Sequence, residues 1–565
     1  MTPRRAPNGL ELAHSPNRLG PTSVRVVVEL RFRVSNALHG RAMRTTVARN
    51  SGAWRKMMSN GADFVIVGAG SAGCVLASRL SKDPACRVTL IEAGGDNDSS
   101  AVRRPSHWPL LWDREENWGY STTIQRGYAF RSILCQRGKG LGGSSAINTM
   151  IVIRGDPNDF DHWRDLGNPG WGWSEALPYF IRAEDHVLGA SDHHGVGGPL
   201  AVTSLVAPNP VANAFVEAAV ACGHRRNPDF NGEHRDGAGL YHVSVRDGAR
   251  WSTAEAYLRP AMTRSNLHVI TRARVLRVVL DGERAVGVDI FDGVQARRID
   301  AAREVVLCAG AIDSPKLLML SGIGDSAALL SHGIGVKHVL PGVGQNLCDH
   351  PASGVTFALK TPIAADPSSC LAEAGLFMKS VKSTGDYATD IQFLVQPQAP
   401  IVAAALGPTP TMAIVVQACR PLSRGSVTLR SADPMDAPLI DPGYMTRPED
   451  LALQLEGLRE ARRIAGAEPL ARHLNGEVAP GTGATTDAEL ERHVRATSAC
   501  VFHPVGTCRM GVGEDAVVNG KLQVHGLLGL RVVDASVMPQ ITSGNTNALT
   551  IMIAEKAAEL LSVAN

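Results

Sequence analysis

One glycine-rich turn constrains the fold of this chain more than any other feature. A short apolar run, 64–67, leads directly into Gly68-Ala69-Gly70-Ser71-Ala72-Gly73, and a helical pattern, 74–80, follows it. A second apolar run, 88–91, ends in the acidic residue Glu92. A G-x-G-x-x-G turn between a strand and a helix, with an acid about 20 residues further on, is the fingerprint of a dinucleotide-binding βαβ unit. The sequence therefore predicts an α/β fold that begins with this unit.

Each residue of the turn has a physical role in holding a dinucleotide. Gly68 permits the tight turn, Gly70 lets the backbone approach a pyrophosphate, and Gly73 lets the helix and the strand pack closely. The helix N-terminus offers free N–H groups to the phosphates. We expect Glu92 to accept hydrogen bonds from a ribose, which disfavours a 2′-phosphate and therefore NADP. The predicted contacts of this segment are Gly68, Gly70, Ser71, Ala72, Gly73 and Glu92.

Four further segments carry a resemblance to a known family. They are 138–148, which reads GKGLGGSSAIN, and 310–324, 503–511 and 533–547. With these motifs in the family's order, the chain from 63 to 561 resembles the glucose–methanol–choline (GMC) oxidoreductases. The motifs are long and mutually consistent, so this resemblance is far more specific than the glycine fingerprint alone.

The resemblance implies a two-domain α/β architecture. It has a discontinuous Rossmann-like FAD-binding domain and a second, α+β substrate domain built on an antiparallel sheet. The predicted divisions are 1–60 for an N-terminal extension, 61–157, 225–355 and 495–565 for the FAD-binding domain, and 158–224 and 356–494 for the substrate-binding domain.

The resemblance also implies a mechanism, the oxidation of a primary alcohol or polyol to an aldehyde. In it, His503 accepts the hydroxyl proton, Asn547 holds the substrate oxygen, and hydride passes to N5 of FAD. Histidine suits this role because its pKa lies near neutral pH. The positive end of the helix predicted over 548–561 would favour the anionic reduced flavin. The other residues implied to bind the cofactor are Gly142, Gly143, Ser144, Asn148, Val275, Gly310, Asp534 and Asn545.

The mode of cofactor attachment follows from one departure from the family pattern. Some members attach FAD covalently through a histidine just before the asparagine of the 138–148 segment. This chain has Ile147 at that position. Because an isoleucine side chain cannot form the bond, we expect FAD to be held non-covalently.

Several other residues suggest chemistry that we do not assign to them. His350 is interpreted as structural, and His193-His194 as a solvated loop, because no third ligand is spaced to complete a metal site. No metal site is therefore predicted. Ser536 lacks the G-x-S-x-G turn of a serine hydrolase.

Pro315 is expected in the first turn of a helix, where its missing N–H costs nothing.

The substrate is less defined than the reaction. An alcohol dehydrogenase for a primary alcohol is favoured over a choline dehydrogenase, because no cage of an acid and aromatic side chains for a quaternary ammonium is evident. The run 227–232, NPDFNG, resembles that of sorbose-type dehydrogenases, so a sugar alcohol stays an alternative substrate. A hydroxynitrile-type lyase that retains FAD and a binding scaffold without redox activity are the alternatives from other classes. The electron acceptor is expected to be oxygen or a quinone-type compound.

The charge of the chain is unevenly distributed. Residues 1–58 contain ten Arg and Lys56 against Glu11 and Glu29, a balance of +9, so the rest carries 3 − 9 = −6. A mildly acidic body gives no reason to expect a nucleic-acid partner. The basic N-terminal segment is interpreted as the result of a mis-set start, with Met57 or Met58 as the true beginning, or as a targeting leader.

Composition also bears on location. The ten cysteines contain no C-x-x-C pair and are interpreted as reduced thiols of a cytosol-like compartment. No uninterrupted apolar stretch of about 18 residues is present, so no membrane-spanning segment is predicted. We expect a cytoplasmic protein, with peripheral membrane association and N-terminal targeting left open.

Overall fold

Two seven-stranded sheets organise the part of the chain that the computed structural model describes, which is residues 61–563 without 364–365, 382, 384–386 and 398–409. Each sheet has its own apolar core. The predicted extension, 1–60, lies outside the described residues, and so its interpretation stays a prediction.

The first sheet contains the predicted dinucleotide-binding unit. Its strands, in spatial order, are Leu267–Ile270, Val88–Ile91, Ala62–Val67, Ala296–Leu307, Arg284–Phe291 and Arg274–Asp281, with Leu530–Val532 also paired to Ala296–Leu307. The first four strands are parallel, whereas the last two of the path form an antiparallel extension. The parallel strands are rich in Val, Ile and Leu because helices and loops cover both of their faces.

The parallel strands bring the glycine-containing loops to one edge of this sheet. Val67 pairs with Leu307, and Leu307 pairs with Val532, so three strands end side by side. The helices Ser71–Leu80 and Gly310–Leu320 begin just beyond two of these ends. The carboxyl edge of a parallel sheet is where such folds bind ligands.

Two glycines of the fingerprint are required by close backbone approach. Gly68 has φ +99°, and a Cβ there would lie 2.6 Å from the carbonyl oxygen of Cys308. A Cβ on Gly73 would lie 1.9 Å from the carbonyl oxygen of Gly68. The sequence-based roles of these two glycines therefore agree with the packing.

The second sheet is antiparallel throughout. Its strands, in spatial order, are Leu474–Ala479, Pro351–Leu359, Thr411–Ala418, Ile391–Gln396, Ala374–Met378 and Gly237–Leu240, with Ala499–Cys500 also paired to Pro351–Leu359. Two helices, Pro448–Ala465 and Pro210–Ala221, pack on one of its faces. The other face is therefore free to form the wall of a site.

The remaining elements surround these sheets. The other helices are Ser100–Arg103, Pro157–Asp165, Trp173–Ala183, Arg259–Ala261, Ser326–Ser331, Glu468–Ala471, Asp487–Thr497 and Asn547–Val563, with short 3-10 helices Pro105–Leu111, Arg126–Tyr128, Gly143–Ala146 and Ala535–Val537 and a π-helix Ala254–Leu258. Short strand pairs join Tyr120–Ser121 to Leu134–Cys135, Glu184–His186 to Leu200–Val202, Val245–Arg246 to Ala249–Arg250, Ile323–Gly324 to His338–Val339, and Ser426–Thr428 to Leu439–Asp441.

The two sheets do not follow the predicted domain divisions at every point. Gly237–Leu240 and Ala499–Cys500 pair with the second sheet, although the sequence assigns them to the cofactor domain. The strand Pro351–Leu359 crosses the predicted boundary at 355. The divisions themselves stay a prediction.

Pro315 lies inside the helix Gly310–Leu320 and not in its first turn, so that prediction is wrong. A proline at this position cannot donate to the carbonyl oxygen of Ala311, four residues earlier. The hydroxyl of Thr507 donates to that oxygen at 2.6 Å instead. A hydroxyl from a distant segment therefore replaces the missing backbone donor.

Two expectations from composition concern the described residues only. None of their helices is long and apolar enough to cross a membrane. All ten cysteines lie within them and are free thiols, and all but Cys222 are buried.

Replacing Gly73 by alanine tests the close approach of helix and strand. The added methyl group must displace the backbone of Gly68, and we expect the free energy of unfolding to fall by about 1–3 kcal/mol. Chemical denaturation measures this change. Gly335→Ala is the control, because a Cβ there meets nothing within 4 Å; equal stability of the two variants would contradict the packing argument.

Candidate functional site

A cavity of about 780 Å³ extends from the glycine fingerprint to the inner face of the second sheet. Most of the predicted site residues line it. They are Gly68, Gly70, Ser71, Ala72, Glu92, Gly143, Ser144, Asn148, Val275, Gly310, His503, Asp534, Asn545 and Asn547. Gly73 and Gly142 are not among the lining residues: Gly73 serves helix packing, and Gly142 donates its N–H to the carbonyl oxygen of Ala69 at 2.8 Å.

The fingerprint end of the cavity fits a dinucleotide. The helix Ser71–Leu80 has Gly70 at its N-cap with no side-chain cap, so its first N–H groups have no side-chain acceptor there. Gly143 approaches Gly70 so closely that a Cβ would lie 2.6 Å from the Gly70 Cα. Bare backbone and uncapped N–H groups are what a pyrophosphate needs.

Two buried carboxylates hold these loops in place. Glu92 accepts N–H groups from Ala69, Gly94 and Gly140 at 2.8, 2.8 and 2.9 Å. Its carboxylate thus fixes three turns as well as facing the cavity.

Asp534 does the same on the neighbouring strand end. It accepts the N–H of Gly310 at 2.8 Å, the hydroxyl of Ser314 at 2.5 Å and the N–H of Ser536 at 2.8 Å. Burial raises the pKa of Asp534, while these hydrogen bonds oppose the rise. The aspartate is therefore fixed at the cavity wall.

Asp349 brings His503 and His350 together. One oxygen of its buried carboxylate accepts the backbone N–H groups of both histidines at 2.8 Å, and Tyr444 donates its hydroxyl to the other oxygen at 2.7 Å. Phe502, just before His503, has φ +65°, a left-handed conformation that costs about 1–2 kcal/mol for an L-residue. The backbone at this point is held against its own preference.

The protonation of the two imidazole rings follows from one backbone carbonyl. His350 Nε2 lies 3.0 Å from the oxygen of Cys419, which can only accept, so this nitrogen carries the proton. In a neutral His350, Nδ1 must then accept, and it lies 3.0 Å from His503 Nδ1. His503 therefore donates from Nδ1, and its Nε2 has no proton.

A second carbonyl fixes the polar groups on the other side of His503. Tyr241 donates its only hydroxyl proton to the oxygen of Phe393 at 2.7 Å, so its own oxygen accepts from Gln392 Nε2 at 3.0 Å. The same Gln392 nitrogen donates to Asn545 Oδ1 at 3.3 Å. Asn545 must then present its amide nitrogen, which lies 3.2 Å from His503 Nε2. We call this sequence of hydrogen bonds, from Tyr241 to His350, the polarity chain.

Electrostatics agrees with a neutral histidine pair. Burial lowers the pKa of His503 well below its usual 6.5, and His350 and Arg137 lower it further. Burial also lowers the pKa of His350 to about 4. Near pH 7 both rings are therefore uncharged, and His503 Nε2 is a proton acceptor.

The two asparagines of the C-terminal motif occupy different positions from those predicted. Asn545, expected at the cofactor, contacts His503. Asn547, expected at the substrate oxygen, accepts the hydroxyl of Ser71 at 2.7 Å and so lies at the start of the fingerprint helix. The motif alone could not separate them, because the residues lie two positions apart in one turn.

The sequence also missed three residues of the polarity chain. His350, interpreted as structural, contacts His503 directly. Gln392 and Tyr241 were not singled out, because each lies more than 150 residues from its partners along the chain.

The interpretation of His193-His194 as a solvated loop is wrong for His194, which is buried between two carboxylates. Its Nδ1 lies 3.0 Å from Glu184 and its Nε2 lies 2.8 Å from Asp229. Burial alone would lower its pKa, but these contacts raise the pKa of His194 to about 9. The short strand pair that carries Glu184 brings these groups together.

This cluster is a buried ion-pair network. Atoms of Glu184, His186 and His194 lie within 4.8 Å of one another, as metal ligands can. Arg154 also contacts Glu184, however, so two cations balance the two carboxylates, Glu184 and Asp229.

Comparison with known proteins identifies relatives over most of the chain. Two family models described as GMC oxidoreductase match residues 62–352 and 421–554. An alcohol dehydrogenase (acceptor) of Pseudomonas putida is 40% identical over 529 residues, 88% of this chain and 95% of the relative. Mitochondrial choline dehydrogenase of Homo sapiens is 40% identical over 534 residues, 88% of this chain and 89% of the relative.

Solved structures share the architecture. Pyridoxine 4-oxidase from Mesorbium loti has a TM-score of 0.83 at 35% identity, covering 89% of this chain and 99% of that one. A formate oxidase has a TM-score of 0.83 at 26% identity, with the same coverage. The predicted fold class is thereby confirmed.

The polarity chain predicts the protonation state of His503 directly. In protein labelled with ¹⁵N-histidine, the His503 signals, assigned by their loss in His503→Gln, should show a protonated Nδ1 and an unprotonated Nε2 at pH 6.5. An imidazolium signal at that pH, or the opposite tautomer, would contradict the hydrogen-bond directions.

Proposed function

Because the chain belongs to the GMC oxidoreductase family and its relatives include an alcohol dehydrogenase and a choline dehydrogenase, we propose that it oxidises a primary alcohol to an aldehyde with His503 as the base. The observation that carries this proposal is the hydrogen-bond pattern around His503, a buried cavity residue whose Nδ1 contact with His350 leaves Nε2 as the proton acceptor. A base must be unprotonated and within hydrogen-bond reach of the hydroxyl.

Asn545 is proposed as the partner of His503, in the role that the sequence assigned to Asn547. Its Nδ2 lies 3.2 Å from His503 Nε2. An alcohol oxygen that lies within hydrogen-bond reach of both nitrogen atoms, and so replaces their direct contact, can accept from Asn545 and donate to His503. As the proton moves to Nε2, the amide stabilises the negative charge that develops on the oxygen.

The cofactor is proposed to be FAD, held non-covalently. FAD, when bound, supplies the acceptor for the hydride of the substrate carbon. The backbone of the fingerprint would hold its pyrophosphate, and the N-terminus of the helix Asn547–Val563 offers a positive partial charge. Ile147 lines the cavity where a covalent link would need a histidine.

The family relationship does not specify the electron acceptor. The alcohol substrate and a separate acceptor, oxygen or a quinone-type compound, are both proposed as small-molecule partners. A lyase would use the same base without any redox change of the flavin, so flavin reduction by the substrate distinguishes the two functions.

Removal of the base should abolish most of the activity. In His503→Ala, we expect anaerobic reduction of the bound flavin by a primary alcohol to slow by about 10²- to 10⁴-fold. Stopped-flow absorbance measures this rate. His332→Ala, a histidine that is not among the cavity residues, should keep the wild-type rate. An unchanged rate in His503→Ala would remove His503 from the mechanism, and cleavage of a cyanohydrin with the flavin still oxidised would favour the lyase.

The mode of attachment has a simple test. Precipitation of the yellow protein with trichloroacetic acid should leave all of the FAD in the supernatant, because Ile147 cannot bond to it. Flavin that stays with the pellet and migrates with the denatured chain would contradict non-covalent binding.

A further inference from the structure

The carboxylates that line the cavity all lie at one of its two ends. We infer that the substrate is an uncharged alcohol, and that the site selects against choline-like cations. This inference rests on the proposed function and specifies its substrate class. It concerns the half of the cavity formed by the second sheet, the segment 498–503 and the side chains that contact that segment, which we call the substrate half.

Part of the wall of the substrate half is apolar. Five of its residues belong to one hydrophobic cluster, in which Ile151, Ala372 and Leu394 are buried and Val415 and Val501 are partly buried against them. Uncharged polar side chains line the same half, among them Thr356 and Gln396 on strands of the second sheet, so this wall offers hydrogen bonds but no negative charge.

The carboxylates that line the cavity lie at its cofactor end. They are Glu92, Asp313 and Asp534. Glu92 and Asp534 are bound to loop N–H groups, and Asp313 accepts the hydroxyl of Tyr120 at 3.0 Å. No acid is therefore available to a cation in the substrate half, as far as the described residues show.

The charged side chains of the substrate half are cations. Arg137 donates to the carbonyl oxygen of Phe502, next to the base, and Arg131 donates to that of Ser498 at 2.6 Å. Both residues line the cavity. Their positive charge repels a quaternary ammonium in a site where water cannot screen it well.

Aromatic side chains do line this region, and aromatic faces can attract cations. Trp112 lies between Trp108 and Phe502, with ring centroids 5.5 and 5.7 Å away. A cation at these rings would lie close to Arg137, which contacts the backbone of Phe502, and no carboxylate among the described residues lines this part of the cavity. The same rings serve an alkyl chain without that penalty. Overall identity does not decide the question, because the alcohol and choline dehydrogenase relatives are both 40% identical.

The wild-type enzyme can be tested with a pair of isosteres. Choline and 3,3-dimethylbutan-1-ol have the same shape, but only choline is charged. We expect kcat/KM for the neutral alcohol to exceed that for choline by at least 100-fold. A choline value equal to or above that of the neutral alcohol overturns the inference while leaving alcohol oxidation intact. A flavin that no primary alcohol reduces overturns the proposed function itself.

A designed acid tests whether charge is the cause. Val415 lines the cavity and pairs with Leu394 on the neighbouring strand. Leu394 is two residues from Gln392 on its own strand, a separation of about 7 Å. Val415→Glu should raise kcat/KM for choline relative to 3,3-dimethylbutan-1-ol by at least 10-fold over Val415→Gln, the matched neutral control. Flavin absorbance checks that both variants are loaded. If both variants contain flavin and show the same selectivity between choline and the neutral alcohol, the electrostatic explanation is wrong. If either variant lacks flavin, the comparison of the two alcohols with the wild-type enzyme tests the inference instead.

Discussion

The site depends on the direction of hydrogen bonds that start from two backbone carbonyls. The oxygen atoms of Phe393 and Cys419 can only accept, and every donor and acceptor between them takes its direction from that fact. His503 is left with an unprotonated Nε2, and Asn545 directs its amide nitrogen to it. A buried, fully directed network of this kind is rigid, because reversing one group would leave its neighbours unpaired.

The residues at the fingerprint end of the cavity were largely predictable from the sequence. Gly68, Gly70 and Gly73 act through their own backbone, so the local spacing of strand, turn and helix specifies their roles. The long motifs around Gly143 and His503 placed these residues in one site, and the structure brings them to one cavity. Roles that depend on local backbone geometry leave a local pattern.

The substrate half was not predictable in the same way. Gln392 reaches Asn545 across 153 positions, and the side of the C-terminal turn that faces His503 is decided by the second sheet. His194 and Pro315 show the same limit. His194 is bound by the carboxylates of Glu184 and Asp229. The carbonyl oxygen that lacks a backbone donor because of Pro315 accepts the hydroxyl of Thr507 instead. No local sequence spacing reveals these partners. Hydrogen bonds between polar side chains that are distant in sequence could therefore be identified only from the three-dimensional structure.

His503, which lines the cavity, is proposed to act as a neutral base. The direct measurement is the rate of anaerobic flavin reduction at saturating alcohol as a function of pH. Since burial lowers the pKa of His503 well below 6.5, the base stays unprotonated above that pH and is lost only as the pH falls through the lowered pKa. A neutral His503 predicts a rate that is constant above pH 6.5 and decreases only as the pH falls through the lowered pKa. A rate that already falls on acidification through pH 7 or above would contradict it.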